Sequence, residues 1–186
     1  RLRNEALNIR DSFSTEKILE ISREIKSRFL KLEIVEESQR FLLYYSFGKE
    51  INTHELIDEL EERGKEVYLP YIIKEEKLLG IGRYSKDELD SGVFGIKEPA
   101  RKEDIPVNWM DIIVVPGLLF AKNGYRIGYG GGYYDQLIKN IEDRIITIGF
   151  CFEGFLRDSL PIDEFDVPVK MIITEHRVLK IGGGED

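Results

Sequence analysis

The run Asp111 to Val115, DIIVV, is the most strand-committed stretch of the sequence, and it ends at Pro116 and Gly117 shortly before a loop, Gly124 to Asp135, that reads GYRIGYGGGYYD. β-branched side chains suit a pleated, buried surface, and Pro followed by Gly stops the strand they build. A central strand that delivers the chain into a glycine-rich loop is how α/β proteins present backbone to a ligand. Glycine adopts positive φ and lets N–H groups approach an anion closely. Arg126 adds a planar cationic fork for phosphate oxygens, and Asp135 an oxygen ligand for the magnesium that accompanies a nucleotide. A flexible hairpin tip would not call for tyrosines between the glycines and a carboxylate at the close.

The familiar phosphate motifs do not fit. A dinucleotide fingerprint starting at Gly128 and Gly130 needs a glycine where Tyr133 stands, and no G-x-x-x-x-G-K-[ST] occurs in the chain. A nucleotide site here is of another type.

Alternating helix and strand patterns surround the loop. From Ser14 to about Glu37, Ile18, Ile21, Ile25, Phe29 and Leu32 recur at helical spacing behind a Ser14 cap. Phe41 to Phe47 reads as a buried strand. Asn52 and Glu55 then form a capping box for a helix carrying Leu56, Ile57 and Leu60, with Gly64 at its C-terminal end. Val67 to Leu69 is a strand stopped by Pro70, and Lys74 to Lys77 a turn between two shorter strands. After the loop come a helix, Tyr133 to Asn140, and strands at Arg144 to Phe150 and Met171 to Ile173. This alternation predicts an α/β layered fold with a largely parallel sheet and ligands beyond the carboxyl ends of its strands. One domain over residues 1–181 is expected, with 182–186, GGGED, as a disordered tail.

Composition narrows the function classes. A chain of 186 residues buries roughly 70% of its unfolded surface, so no disulfide or structural metal is required. The single cysteine, Cys151, lies between Phe150 and Phe152 and reads as a small buried hydrophobe in a reducing, cytoplasmic protein. A formal charge of −8, from 35 acidic and 27 basic residues without a basic cluster, argues against nucleic-acid partners. No apolar run approaches a membrane span, and the stretch RLRNEALNIR lacks the core of a signal peptide.

Other candidates stay open on the residues alone. Asp135 is either a dipole partner in the first turn of its helix or a metal ligand. Asp166, in PIDEFDVPVK, is by itself an ordinary turn aspartate. Glu50, in GKEINT, is a surface charge or a ligand group at a strand end. His54 and His176 sit among charged residues and are expected to be exposed, and no serine or cysteine stands in a nucleophile elbow.

The segment VVPGLLFAKNGYRIGYGGGYYDQLI resembles the signature of the 5-formyltetrahydrofolate cyclo-ligase family, with support from Leu2–Arg3, GKEINT, EVYLP and GIKEP over nearly the whole chain. The resemblance implies a three-layer α/β sandwich with a largely parallel central sheet, like the ribose-phosphate isomerase and CoA-transferase group. It implies ATP- and magnesium-dependent closure of 5-formyltetrahydrofolate to 5,10-methenyltetrahydrofolate with release of ADP and phosphate, by a monomer acting on a reduced folate. By position, Arg3 and the run Arg126, Ile127, Gly128, Tyr129, Gly130, Gly131, Gly132, Tyr133 and Tyr134 would contact ATP, with Arg126 and Tyr133 catalytic. Tyr45, Glu50 and the run Tyr129 to Tyr133 would border the folate, and Asp135 and Asp166 would hold magnesium. Ala121, Gly131 and Lys170 depart from the family pattern, which has an aspartate, a lysine in many members and an aspartate there. These departures leave room for a non-catalytic folate- or nucleotide-binding module of the same fold.

Overall fold

The computed structural model describes residues 1–129 and 131–182. Among the described residues there are twelve strands: β1 (Arg40–Leu42), β2 (Glu66–Ile73), β3 (Leu78–Arg83), β4 (Leu89–Ser91), β5 (Lys97–Pro99), β6 (Ile112–Val115), β7 (Leu119–Ala121), β8 (Arg126–Ile127), β9 (Ile146–Phe150), β10 (Leu156–Arg157), β11 (Met171–Ile173) and β12 (Val178–Lys180). Seven form one sheet in the order β12-β11-β9-β6-β1-β2-β3. The five central strands are parallel, and β3 and β12 close the edges antiparallel. β6 lies fourth of the seven with all four residues buried, as a β-branched run flanked by pairing on both sides should. Helices flank the sheet, so the expected α/β sandwich is the fold observed.

The helix expected from Ser14 to Glu37 is two. Helix α1 (Leu2–Asp11) precedes it, and α2 (Thr15–Leu30) begins where Ser14 Oγ accepts from the Lys17 N–H at 3.1 Å. The chain then turns at Leu32, which is extended, and α3 (Glu33–Glu37) follows. That turn brings Val35 into the core, where a straight continuation of α2 would have carried it round. Phe29 of α2 meets Phe41 and Phe150 edge-on at 6.1 and 5.6 Å, fastening the helix across β1 and β9.

Two strand boundaries also differ from expectation. β1 has only three paired residues rather than the seven of Phe41 to Phe47, because the chain leaves the sheet into the loop that carries Glu50. β2 runs straight through Pro70, which pairs with Ile81 of β3. Contact with β1 ends at the Leu43 N–H to Tyr68 carbonyl bond, so no ladder bond is lost where Pro70 lacks its hydrogen. The turn at Lys74 to Lys77 joins β2 to β3 as read from sequence.

Helix α4 (His54–Glu62) ends in the expected glycine: Gly64 has φ +79°, and the Lys65 N–H reaches back to the Leu60 carbonyl. The helix after the loop, α5 (Tyr133–Ile138), is six residues long and stops short of Asn140. At the amino-terminal edge of the sheet, Asp111 accepts from the Gln39 and Arg40 N–H groups, and Arg40 stacks its guanidinium 3.7 Å from the centre of the Trp109 ring. Cys151 is buried, and burial pushes its thiol well above the ordinary range. Of the tail, residues 183–186 lie outside the described residues, so the disorder expected there is not addressed.

Candidate active site

β1 passes the chain to β2 on one side while β6 passes it to β9 on the other, so the strand order reverses between β1 and β6. Ligands of open parallel sheets bind beyond the carboxyl ends of the strands at such a point. A cleft of about 1030 Å³ opens there, and its walls include Arg3, Tyr45, Glu50, the described loop residues from Arg126 to Tyr134, Asp135 and Asp166. The sequence candidates therefore converge on one space. Gly130 lies outside the described residues.

The loop after β1 holds Glu50 by a set of short-range bonds. Ser46 and Thr53 exchange backbone N–H to hydroxyl bonds at 3.0 Å each, and the Thr53 hydroxyl donates to the Tyr44 carbonyl at 2.7 Å. Between them Gly48 takes φ +59°, and the Phe47 N–H donates to Glu50 Oε1 at 2.9 Å. Burial raises the Glu50 carboxyl above the ordinary range, while the Phe47 N–H and the nearby Arg10 charge pull it back. His54 is half-buried rather than exposed: its ring stacks on Tyr45 at 4.0 Å and its Nε2 pairs with the Ser46 carbonyl at 2.8 Å. His176 is exposed.

On the opposite wall, Arg126 is held by β8, and its side chain is only 7% exposed. One guanidinium N–H reaches Asp135 Oδ1 at 3.3 Å, and the buried Nε has no partner among the described residues. Burial lowers the Arg126 pKa, opposed by Asp135, Tyr134 and Asp166. A buried cation with an unmet donor, in the wall of a cleft also lined by Gly128, Gly131 and Gly132, suits a phosphate oxygen. Arg3 comes from α1 and donates its Nε to the Gly128 carbonyl at 2.9 Å, tying that helix to the loop.

Asp135 Oδ1 also accepts from the Val167 N–H at 3.2 Å, which brings the chain beside Asp166 to the first turn of α5. Asp166 Oδ2 accepts from the Asp163 N–H at 2.9 Å. The second oxygen of each carboxylate has no partner among the described residues. Among those residues no three His, Cys, Asp or Glu side chains gather into a metal cage. Two hard carboxylate oxygens nevertheless fit magnesium, which keeps water and takes the rest of its shell from phosphates.

The departures from the family pattern lie differently. Gly131 has φ +95°, and a Cβ there would fall 2.9 Å from Cε2 of Tyr133, so this loop conformation disfavours any side chain. Lys170 lies outside the cleft, donating its ammonium to the Asp143 and Ile145 carbonyls at 2.6 Å each. Ala121 is fully buried in β7.

Sequence reasoning passed over Arg10, Phe47, Phe94 and Phe165, all in the cleft wall. Phe94 is 84% exposed and holds φ +60° beside Gly95, a left-handed conformation uncommon outside glycine. The exposed aromatic ring between two glycines in GVFG was the available signal. Arg10 offered none, since one arginine in a charged helix resembles any other.

A family model for the 5-formyltetrahydrofolate cyclo-ligase family matches residues 1–175. The 5-formyltetrahydrofolate cyclo-ligase of Escherichia coli is 27% identical over 174 residues, 91% of this chain and 96% of that protein. The one from Haemophilus influenzae is 29% identical, over 91% of this chain and 93% of its own length. The NMR structure of Aquifex aeolicus 5,10-methenyltetrahydrofolate synthetase superposes with a TM-score of 0.87 at 31% identity, covering 100% of this chain and 93% of that one. A Mycoplasma pneumoniae structure of the same name, at 21% identity and TM-score 0.73, shares the fold.

Proposed function

The chain belongs to the 5-formyltetrahydrofolate cyclo-ligase family, and from that premise we propose that it closes 5-formyltetrahydrofolate to 5,10-methenyltetrahydrofolate, with ATP converted to ADP and phosphate. The observation that carries this reading is the pairing of two unlike walls in one cleft: a half-buried carboxylate on the Glu50 side, and a buried arginine with an unmet donor on the glycine-loop side.

The chemistry asks for such walls. An amide-like formyl oxygen is a poor leaving group. Its attack on the γ-phosphorus forms an oxygen–phosphorus bond as the bond to ADP breaks. The neighbouring folate nitrogen then adds to the formyl carbon, sheds its proton, and expels phosphate carrying the former formyl oxygen. No protein nucleophile is consumed, so the protein contributes position and charge. Arg126, with Arg3 and the backbone from Ile127 to Tyr134, holds the phosphates, and the buried guanidinium meets charge that grows on them. Tyr133 closes the loop over the reacting groups. Glu50 accepts hydrogen bonds from the pterin, with Tyr45 beside it. Asp135 and Asp166 hold magnesium, which when bound supplies charge neutralisation at the phosphates.

The enzyme acts as a monomer in this reading, and the lone buried cysteine suits a reducing cytoplasm. Among the described residues, no helix is long and apolar enough to cross a membrane. The test is an assay with ATP, magnesium and 5-formyltetrahydrofolate carrying an isotopic oxygen in the formyl group. Methenyltetrahydrofolate should form with ADP, and the label should appear in inorganic phosphate. Absence of turnover would overturn the proposed activity, and label recovered in water would overturn the phosphorylated route.

A further inference from the structure

Arg10 has no part in the chemistry above, yet it stands where the two walls meet. It lies in the last turn of α1, its Nη1 donates to the Tyr129 hydroxyl at 2.5 Å, and its guanidinium carbon is 5.6 Å from the centre of that ring. Its Nε is buried without a partner among the described residues. Beneath the main cleft is a second cavity of about 10 Å³, lined by Arg10, Tyr44, Glu50, Tyr129 and Cys151 among others. That is about the space of one water, and its polar lining could hold one.

Among the described residues, Arg10 is the cation whose charge acts on Glu50, while the other groups near it are neutral or turned onto other partners. The Tyr44 hydroxyl donates to the Ile51 carbonyl, and the Lys49 ammonium is bonded to the Asp11 and Phe13 carbonyls. Burial and the Glu50 charge push the Tyr129 phenol up to about 12 and hold Tyr134 higher still, so both stay neutral. The Cys151 thiol is likewise held neutral by burial. Arg10 is thus the cation set against this carboxylate, and its charge favours the ionised form.

Resting on the reading that Glu50 receives the folate, we propose that Arg10 is a positioning residue, which acts through Tyr129 and through a water in the small cavity to orient the Glu50 carboxylate, balance its charge and seat the glycine loop above it. Arg10 works on the substrate through these two side chains. A merely structural arginine would tie α1 to the loop and leave the titration of Glu50 alone.

The test is the pH profile of kcat/KM for 5-formyltetrahydrofolate in the full chain, with melting temperature measured alongside. Arg10→Gln should move the acid limb up by about one pH unit. It should raise the folate KM at neutral pH more than it lowers kcat, and Arg10→Lys should return the limb most of the way. In a Glu50→Gln background, Arg10→Gln should change KM by less than about twofold, since the pair acts as one unit. If Glu50→Gln raises KM while the acid limb of Arg10→Gln stays at the wild-type position, the positioning role is overturned and the folate reading stands. If Glu50→Gln has a wild-type KM, the folate reading falls and this inference falls with it. Activity lost equally at every pH, in step with lost folded protein, would also overturn the role.

Discussion

Arg126 meets Asp135 through a single N–H···O contact of 3.3 Å, although both side chains are largely buried, at 7% and 17% exposure. A fully satisfied buried pair would be shorter and bidentate. The guanidinium keeps donor capacity for a third group, and the carboxylate keeps an oxygen. Arg126→Lys preserves charge but loses the fork, so kcat/KM for ATP should fall about ten- to a hundredfold, the equivalent of roughly 1.5 to 3 kcal/mol for a charge-assisted contact. Steady-state kinetics at saturating folate measures it, and a change under twofold would remove Arg126 from the phosphate site.

Asp135 and Asp166 should separate function from stability. Asp135→Ala strips both Arg126 and the Val167 N–H of their acceptor, so it should cost about 3 kcal/mol in addition to activity. Asp135→Asn and Asp166→Asn retain an acceptor oxygen for those local bonds. Both should fold nearly as well as wild type while needing more magnesium for half-maximal rate. A magnesium titration unchanged in both variants would show that the pair does not hold the metal.

Glu50 sets folate binding against stability. Burial raises its pKa in the folded chain, so the folded state binds more protons than the unfolded state as pH rises past the ordinary carboxylate value. The stability contribution of the neutral carboxyl is present below that value and lost as pH climbs through the raised one. Glu50→Gln should therefore melt higher than wild type near neutral pH, with the difference vanishing in acid, while its folate KM rises. Melting curves across pH in a low-salt buffer test the sign directly.

Gly131→Val should disable the loop while sparing the core. The position has φ +95°, and the new Cβ would meet the Tyr133 ring at 2.9 Å, so strain of about 1 to 2 kcal/mol falls on a surface segment. ATP-dependent turnover should drop far more than the melting temperature does. Near wild-type kcat/KM would mean that this glycine backbone does not cradle phosphate.

Gly149→Ala should do the reverse. In β9 a Cβ at this position would fall 2.2 Å from the ring of Phe120, which is fully buried. Overpacking of this kind costs about 1 to 3 kcal/mol. Thermal denaturation should show the loss, with KM values for both substrates unchanged in the folded fraction.

What the sequence made legible was local. The Ser14 cap, the Gly64 terminus and the buried DIIVV strand each follow from a few neighbouring residues, and the structure has all three. The loop stood out because glycine, arginine and tyrosine in one segment have few structural uses. The break after Leu30 and the passage of β2 through Pro70 are tertiary decisions, made by the core's demand for Val35 and by the early end of β1. The same holds for Arg10, whose relation to Tyr129 spans 119 residues of chain, and for Phe94, whose exposure over the cleft no local pattern encodes.

The chain's one tryptophan, Trp109, enters β6 from the end opposite the cleft and lies against Arg40, while five of its nine tyrosines, Tyr44, Tyr45, Tyr129, Tyr133 and Tyr134, line the cleft itself. Indole emission reports whether Arg40 still covers the ring, which makes it a gauge of unfolding at the end of the sheet away from the cleft. Tyrosine emission, to which Tyr68, Tyr71, Tyr84 and Tyr125 outside the cleft also contribute, responds to the cleft, so excitation at two wavelengths sets folding beside binding in the variants described above.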